Sequence, residues 1–373
     1  MPLVNGYKLS DNFHLSPAQR ILIITEKDHE ADRKMTARTC LLAGDIGGTK
    51  TSLALHRAGS WPGPPLAEAT YRNAAYDSPA AMISEFLAAN DSRPDHACFG
   101  VAGPVSDNRV QLTNLDWFID GEKLRRQFGL KSVSLVNDLV ATAMGAVHLP
   151  ADRLKTINAG QPASRGAIAV IAPGTGLGEA FIIRDQDRLL PCPSEGGHAS
   201  FAPENARQAA LLEFMRKRFE HVSVEQVCSG LGLPALYDFL KTEIAEPPWL
   251  AERLGGAGDR TPVIVAAALK ALNDQESAAN LAAETLHLFV DILAAEAANL
   301  ALKVLATGGV YIGGGIPPRI LPLLEPDRFM ARFRRGVYRE MLGRIPVHVI
   351  LEPETALLGA AACGFSATGP LNR

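Results

Sequence analysis

At 373 residues the chain has room for two domains, or three, at ~150 residues each. Hydrophobic residues make up 47% and charged residues 21%, which excludes global disorder. The 37 basic and 40 acidic side chains leave a formal charge of −3, which argues against a chain-wide nucleic-acid binder but leaves room for a local anion pocket.

Residues 1–38 are polar and mixed, with one short apolar run at Ile21–Ile24, and differ in character from the rest of the chain. They read as an N-terminal extension, or as a start placed upstream of the true one at Met35. From Cys40 the pattern is regular. Apolar Cys40–Ile46 and alternating Thr51–His56 predict two strands joined by the tight turn Gly47-Gly48-Thr49-Lys50. Ala81–Ala89 has helical periodicity, Ala97–Ala102 predicts a strand ending in Gly103-Pro104, and Val133–Val136 a strand ending in Asn137-Asp138. Leu139–His148 predicts an alanine-rich helix. In the second half, Ala167–Ala172 and Gly178–Ile183 predict strands around Pro173-Gly174-Thr175-Gly176. Helices are expected at Ala206–Phe219, Leu233–Lys241 and Ser277–Leu305. A short strand at Val310–Ile312 precedes Gly313-Gly314-Gly315, and Val347–Leu351 and Glu354–Gly364 predict a closing strand and helix. Strands alternating with helices make the fold class α/β.

The five cysteines (Cys40, Cys98, Cys192, Cys228, Cys363) are odd in number and widely spaced, with no C-x-x-C. A disulfide framework or cysteine zinc site is not expected, and a reducing compartment fits. No uncharged apolar run reaches the ~20 residues of a membrane helix, and no signal peptide is evident, so the expectation is a cytoplasmic protein.

A strand, a Gly/Thr turn and a returning strand occur once in each half of the chain: Gly44-Asp45-Ile46-Gly47-Gly48-Thr49 and Ala172-Pro173-Gly174-Thr175-Gly176-Leu177-Gly178. This predicts two similar lobes, each presenting a glycine hairpin to a shared cleft. Glycine turns let backbone N–H groups converge on an anion, so the pair suits the phosphates of a nucleotide; the alternative is two ordinary hairpins. The first turn is not a P-loop, because Thr49 replaces the required Gly and a strand comes next; nor does Gly174-x-Gly176-x-Gly178 fit a dinucleotide fingerprint. Asp45 beside a phosphate site is a candidate Mg²⁺ ligand through water, or else a turn-capping aspartate. Gly313–Gly315 would admit a flat ring, with Gly314 at its centre.

Asn137-Asp138, at a strand's C-terminal end before a helix, stands where α/β sheets hold ligands. Asp138 could accept a proton from a substrate hydroxyl, or could cap the helix. Glu195-Gly196-Gly197-His198 is unlike a helical metal pair, since each glycine costs ~1 kcal/mol in a helix. A loop that sets a carboxylate beside an imidazole suits a polyol; zinc held by Glu195, His198 and Glu225 is the alternative. Glu225 and Asn114 carry no signal on their own.

Together, in order, Gly44–Thr49, Gly100–Val105, Leu112-Thr113-Asn114, Val136-Asn137-Asp138, Gly174–Gly178, Glu195–His198 with Phe201-Ala202-Pro203, Ser229-Gly230-x-Gly232 and Gly313–Ile316 resemble the bacterial glucokinase family. The resemblance runs from about Leu41 to Gly364. It implies a two-lobed actin-like ATPase (ribonuclease H-like) fold with a duplicated hairpin-containing core and an interdomain cleft. The small domain would be 39–148 plus 354–367 and the large one 149–353. It implies transfer of the ATP γ-phosphate to the 6-hydroxyl of D-glucose, with Asp138 as base. Asn114, Asn137, Glu195, His198 and Glu225 would meet the sugar; Gly44, Asp45, Ile46, Gly47, Gly48, Thr49, Gly174, Thr175, Gly176 and Gly314 would meet ATP, with Mg²⁺ at Asp45. The partners implied are a sugar and a nucleotide, with no nucleic acid and no membrane, and a homodimer is compatible with it. His198 is followed by Ala199-Ser200, where many members have an acidic residue. No cysteine-rich zinc motif of the related repressor-and-kinase sugar family comes after His198. A kinase for another hexose or an N-acetyl amino sugar, and polyphosphate as donor, stay open. A sugar-responsive regulator would need a helix-turn-helix before residue 40, where residues 1–38 show one short apolar run and no paired helices, and protein-directed ATPases of this fold lack a Glu-Gly-Gly-His loop.

Overall fold

The computed structural model of the protein describes residues 39–90, 93–112, 115–273 and 280–368. The N-terminal extension and Asn114 therefore lie outside the described residues. The first half runs β1 (Cys40–Ile46), β2 (Lys50–Arg57), β3 (Ala67–Arg72), α1 (Pro79–Ala88), β4 (His96–Val101), β5 (Arg109–Gln111), β6 (Phe118–Asp120), α2 (Gly121–Phe128), β7 (Ser132–Asn137) and α3 (Asp138–Ala146). The second runs β8 (Leu154–Asn158), β9 (Ile168–Pro173), β10 (Leu177–Asp185), β11 (Arg188–Ser194), α4 (Ala206–Arg216), α5 (Leu233–Leu240), α6 (Pro248–Gly255), α7 (Thr261–Asn273), α8 (Asn280–Val304), β12 (Gly309–Ile312), α9 (Pro326–Phe333), α10 (Arg339–Arg344), β13 (Val347–Ile350) and α11 (Thr355–Thr368).

The duplication expected from the two hairpins extends to whole sheets. One sheet has the order β3-β2-β1-β4-β7, the other β11-β10-β9-β12-β13 with β8 added at the edge. In both, three antiparallel strands are followed by two parallel ones. The edge strands were not legible in the sequence. β11 contains Pro191 and Pro193, which a sheet tolerates at an edge where no ladder donor is needed, and β3 alternates half-buried with exposed residues.

β1 is buried on both faces, as its unbroken apolar run implies. Leu42 and Ile46 join Leu53, Phe86 and Phe99 on one face, while Leu41 and Ala43 meet Leu357, Ala360, Ala361 and Phe365 of α11 on the other. Each buried Leu or Phe contributes ~1.5–3 kcal/mol of transfer free energy. The second sheet packs on α8, whose length and mean hydropathy of 1.4 would suffice for a membrane span. It is instead a core helix: 83% of that apolar stretch is buried, against α5, α7, α9 and β9 among others.

The two sheets meet through α3 and α11. α11 follows β13 of the second sheet yet packs on β1, β2, β4 and β7 of the first. α3 follows β7 of the first sheet yet sets Val140, Ala143 and Met144 against Ile168 and Val170 of β9 and Ala180 and Ile182 of β10. The two helices cross on glycine: a side chain at Gly359 would run into the Ala141 carbonyl, and one at Gly145 into the Thr355 carbonyl. Neither obstacle is a movable side chain. Gly359→Val should therefore force the helices apart and lower stability by ~3 kcal/mol or more. The check is urea denaturation followed by circular dichroism; an unchanged midpoint would show that the crossing is not under this constraint.

Candidate active site

The glycine turns are held from behind. In the first, the Gly47 N–H donates to the Lys50 carbonyl (3.1 Å). Asn73, 1% exposed, ties the turn down: its Nδ2 donates to the Gly47 carbonyl (2.8 Å), its backbone N–H to the Thr49 carbonyl (3.0 Å), and its Oδ1 accepts from Thr51 Oγ1 (2.8 Å). In the second turn the Gly174 N–H donates to the Gly176 carbonyl (2.8 Å), and the Gly230 and Leu231 N–H groups donate to the carbonyls of Gly174 (2.8 Å) and Thr175 (3.1 Å). The Ser229-Gly230-x-Gly232 motif is thus a brace for the Gly174–Gly176 turn. The third glycine cluster adjoins it: Gly314 has φ 81° and lies against the Pro173 carbonyl, with Gly313 N–H donating to Ile171 O at 2.8 Å.

Asn137, not Asp138, caps α3. Its Oδ1 accepts from the N–H groups of Leu139 (2.9 Å) and Val140 (3.4 Å), and its Nδ2 donates to the Gly103 carbonyl (3.3 Å). Asp138 becomes the first helical residue and places its carboxyl at the positive end of the helix. It accepts from its neighbour Leu139 N–H (2.9 Å). Burial, and secondarily Glu195, nevertheless hold its pKa above the ordinary carboxylate range. Asp45, at the end of β1, is pushed up to about 7 by burial and by the nearby charges of Asp138 and Glu354, with Lys50 opposing. Lys50, just past the first turn, reaches across to Glu354 at the start of α11 (Nζ–Oε1 2.7 Å), while Glu354 Oε2 is buried without a hydrogen-bond partner among the described residues. The two helices that cross at Gly145 and Gly359 therefore bring Asp138 and Glu354 to the same place, beside Asp45.

Glu195-Gly196-Gly197-His198 forms a single 3₁₀ turn over β10. Gly197 is required by close approach, since a side chain there would strike the Leu177 carbonyl, and one at Gly196 would have to displace the Glu179 carboxyl. Glu195 and His198 stay open, 76% and 61% exposed, with His198 Nε2 4.0 Å from Glu195 Oε2 and Nδ1 3.8 Å from Glu225 Oε1. Glu225 joins both halves of the site: its Oε2 accepts from the Leu177 N–H (2.8 Å) at the end of the second glycine turn, and its backbone N–H donates to the Gly197 carbonyl (2.9 Å). Among the described residues no group of three His, Cys, Asp or Glu side chains is spaced to hold a metal ion, so the zinc alternative at Glu195, His198 and Glu225 finds no support.

The structure thus gathers Asp45, Asp138, Asn137, Glu195, His198, Glu225 and the three glycine clusters around one region, and adds Asn73, Lys50 and Glu354. A lysine following a glycine turn was a visible signal for Lys50. Asn73 and Glu354 are brought in by tertiary contacts that no local pattern announces.

Against known proteins, the family model described as Glucokinase matches residues 42–366. A glucokinase of Trichormus variabilis is 41% identical over 339 residues, covering 87% of this chain and 98% of the relative. One of Nostoc punctiforme is 39% identical over 336 residues, with the same coverage of each chain. The crystal structure of a glucokinase from an Antarctic psychrotroph superposes with a TM-score of 0.76 at 33% identity, covering 87% of this chain and 98% of that one. A glucokinase of Streptomyces griseus in complex with glucose and AMPPNP shares the fold, with a TM-score of 0.59 at 21% identity over 87% of this chain and 99% of that one. Ordered motifs, duplicated sheets and these likenesses agree, and the chain belongs to the glucokinase family.

Proposed function

We propose that the protein transfers the γ-phosphate of ATP to the 6-hydroxyl of D-glucose, with Asp138 as the general base. The observation that carries this reading is the placement of the Asp138 carboxyl. Asn137 takes over the capping of α3, and the Asp138 carboxyl at the helix start lies within electrostatic reach of both Asp45 and Glu195 of the Glu195–His198 turn. The proton of the 6-hydroxyl passes to the Asp138 carboxylate as the sugar oxygen bonds to the γ-phosphorus. The bond between that phosphorus and its bridging oxygen breaks, leaving ADP. Backbone N–H groups of the Gly44–Thr49 and Gly174–Gly176 turns orient the phosphates, and Gly314 borders the nucleotide. Glu195, His198 and Glu225, with Asn137 and Asn114, hold the ring hydroxyls. A sugar lacking one hydroxyl leaves such a group unpaired, which is how a site of this kind discriminates.

Asp45 fits a Mg²⁺ site. Among the described residues no three carboxyls are spaced to ligate an ion directly, but the charges of Asp138 and Glu354 bear on Asp45 and Glu354 Oε2 is buried without a partner there, a repulsion that a cation held through water relieves. A bound Mg²⁺ would neutralise charge on the phosphates, and Asp45 would hold it through water, the coordination this ion favours. The lobes 39–148 plus 354–367 and 149–353 would close on the sugar and exclude water, a competing acceptor. All five cysteines are free thiols, which fits a reducing, cytoplasmic setting.

Asp138→Asn should keep glucose binding and lower kcat at least ~100-fold in a coupled glucose 6-phosphate assay; near-normal turnover would sink the assignment. Because Asp138 must be ionised and its pKa is raised, kcat should fall as pH drops through that raised value, and this acid limb should be absent from the residual rate of the Asn variant. Asn73→Ala, by loosening the first glycine turn, should raise KM for ATP by roughly tenfold, equivalent to ~1.4 kcal/mol, with a much smaller effect on KM for glucose. An equal rise in both constants would mean that Asn73 supports the fold at large.

A further inference from the structure

We propose that Glu179 is a positioning residue for the sugar site: a buried carboxyl that forms the floor on which the turn carrying Glu195 and His198 is seated. The inference rests on the sugar-kinase reading. Glu179 lies on β10, two residues beyond Leu177, and is 1% exposed. Its carboxyl lies so close under Gly196 that no side chain fits between them. Across the β10–β11 ladder it is paired with Ser194, whose Oγ accepts the Gly196 N–H at 3.0 Å. The floor, the strand that leads into the turn and the turn itself therefore form one contiguous unit.

A negative charge on the carboxyl is disfavoured by burial and by the like charge of Glu296; Lys303 opposes them, but itself sits against Glu296. Glu179 Oε1 is buried with no hydrogen-bond partner among the described residues. From α8 it faces Glu296, a like charge, and Lys303, which is itself 3.5 Å from Glu296 Oε1. From the segment after Glu225 it faces Cys228, a thiol raised by burial and by both acids. Over it the turn ends in Glu195 and His198. A buried carboxylate so placed costs several kcal/mol, so the neutral acid is favoured. Burial first and Glu296 second push its pKa up to about 7, with Lys303 opposing. As a neutral acid, Glu179 lets the glycine turn lie flat on β10. Ionised, it puts an unpaired charge directly beneath Gly196, and relief comes by lifting the turn towards water. Sugar affinity should then fall as pH rises through the neutral range, by a route that leaves the phosphate turns and Asp138 in place.

The test is calorimetric titration of the full-length protein with D-glucose, without nucleotide, at about pH 6 and about pH 8.5, either side of the Glu179 transition. Groups not in contact with Glu179 titrate alike in wild type and Glu179→Gln, so the difference between the two proteins reports on Glu179 and the groups it faces. The wild type should lose roughly tenfold or more of its affinity across this range, and Glu179→Gln less than about threefold. Equal pH responses would overturn the role of Glu179 while leaving the kinase reading intact. Absence of glucose binding by the wild type at either pH would overturn that reading and this role with it. Glu296→Gln supplies a second arm should Glu179→Gln not fold. Removing the like charge while Lys303 stays should move the midpoint of the affinity loss to lower pH, and an unmoved midpoint would count against the proposal.

Discussion

The architecture depends on one contact, the crossing of α3 and α11 at Gly145 and Gly359. Each helix follows the last strand of one sheet and packs on strands of the other, so the two duplicated halves are laced together rather than merely apposed. Only glycine permits the separation found, because the obstacles are backbone carbonyls. The helix starts, Asp138 and Glu354, are thereby brought beside Asp45 and the first glycine turn. A packing constraint at the middle of two helices thus sets the chemistry at their ends.

The electrostatics of the site run opposite to a simple expectation for a protein that handles phosphates. Carboxyls dominate: Asp45, Asp138, Glu354, Glu195, Glu225 and, beneath them, Glu179. The nearest lysine, Lys50, is paired with Glu354. On the reading proposed above, anion binding rests on backbone N–H groups in the glycine turns, with cation charge delivered alongside the nucleotide. This accounts for a formal charge of −3 in a protein whose substrate is a polyanion. It also keeps Asp138, the proposed base, in a setting where burial raises its proton affinity without removing it from the helix end.

Much of this was legible in the sequence because the chemistry lies on local patterns. The paired strand–glycine–strand units announced both glycine turns and the duplication, and Glu-Gly-Gly-His announced a turn instead of a helix. Asn137-Asp138 showed a helix start but not which residue capped it. That depended on side-chain geometry, and the cap fell to Asn137. β11 was hidden by its prolines and β3 by its polar alternation. Asn73 and Glu179 were illegible for a different reason. Asn73 matters because β3 brings it under a turn formed some twenty residues earlier, and Glu179 because α8 folds back to place Glu296 against it. Local pattern encodes elements and turns, whereas what stands behind a turn is settled by long-range packing.

The most direct measurement is phosphorus NMR of a turnover mixture holding the protein, ATP, Mg²⁺ and D-glucose. ADP and glucose 6-phosphate should accumulate in equal amounts, with no detectable ATP consumption when glucose is left out. Release of inorganic phosphate at the same rate with and without the sugar would contradict the account.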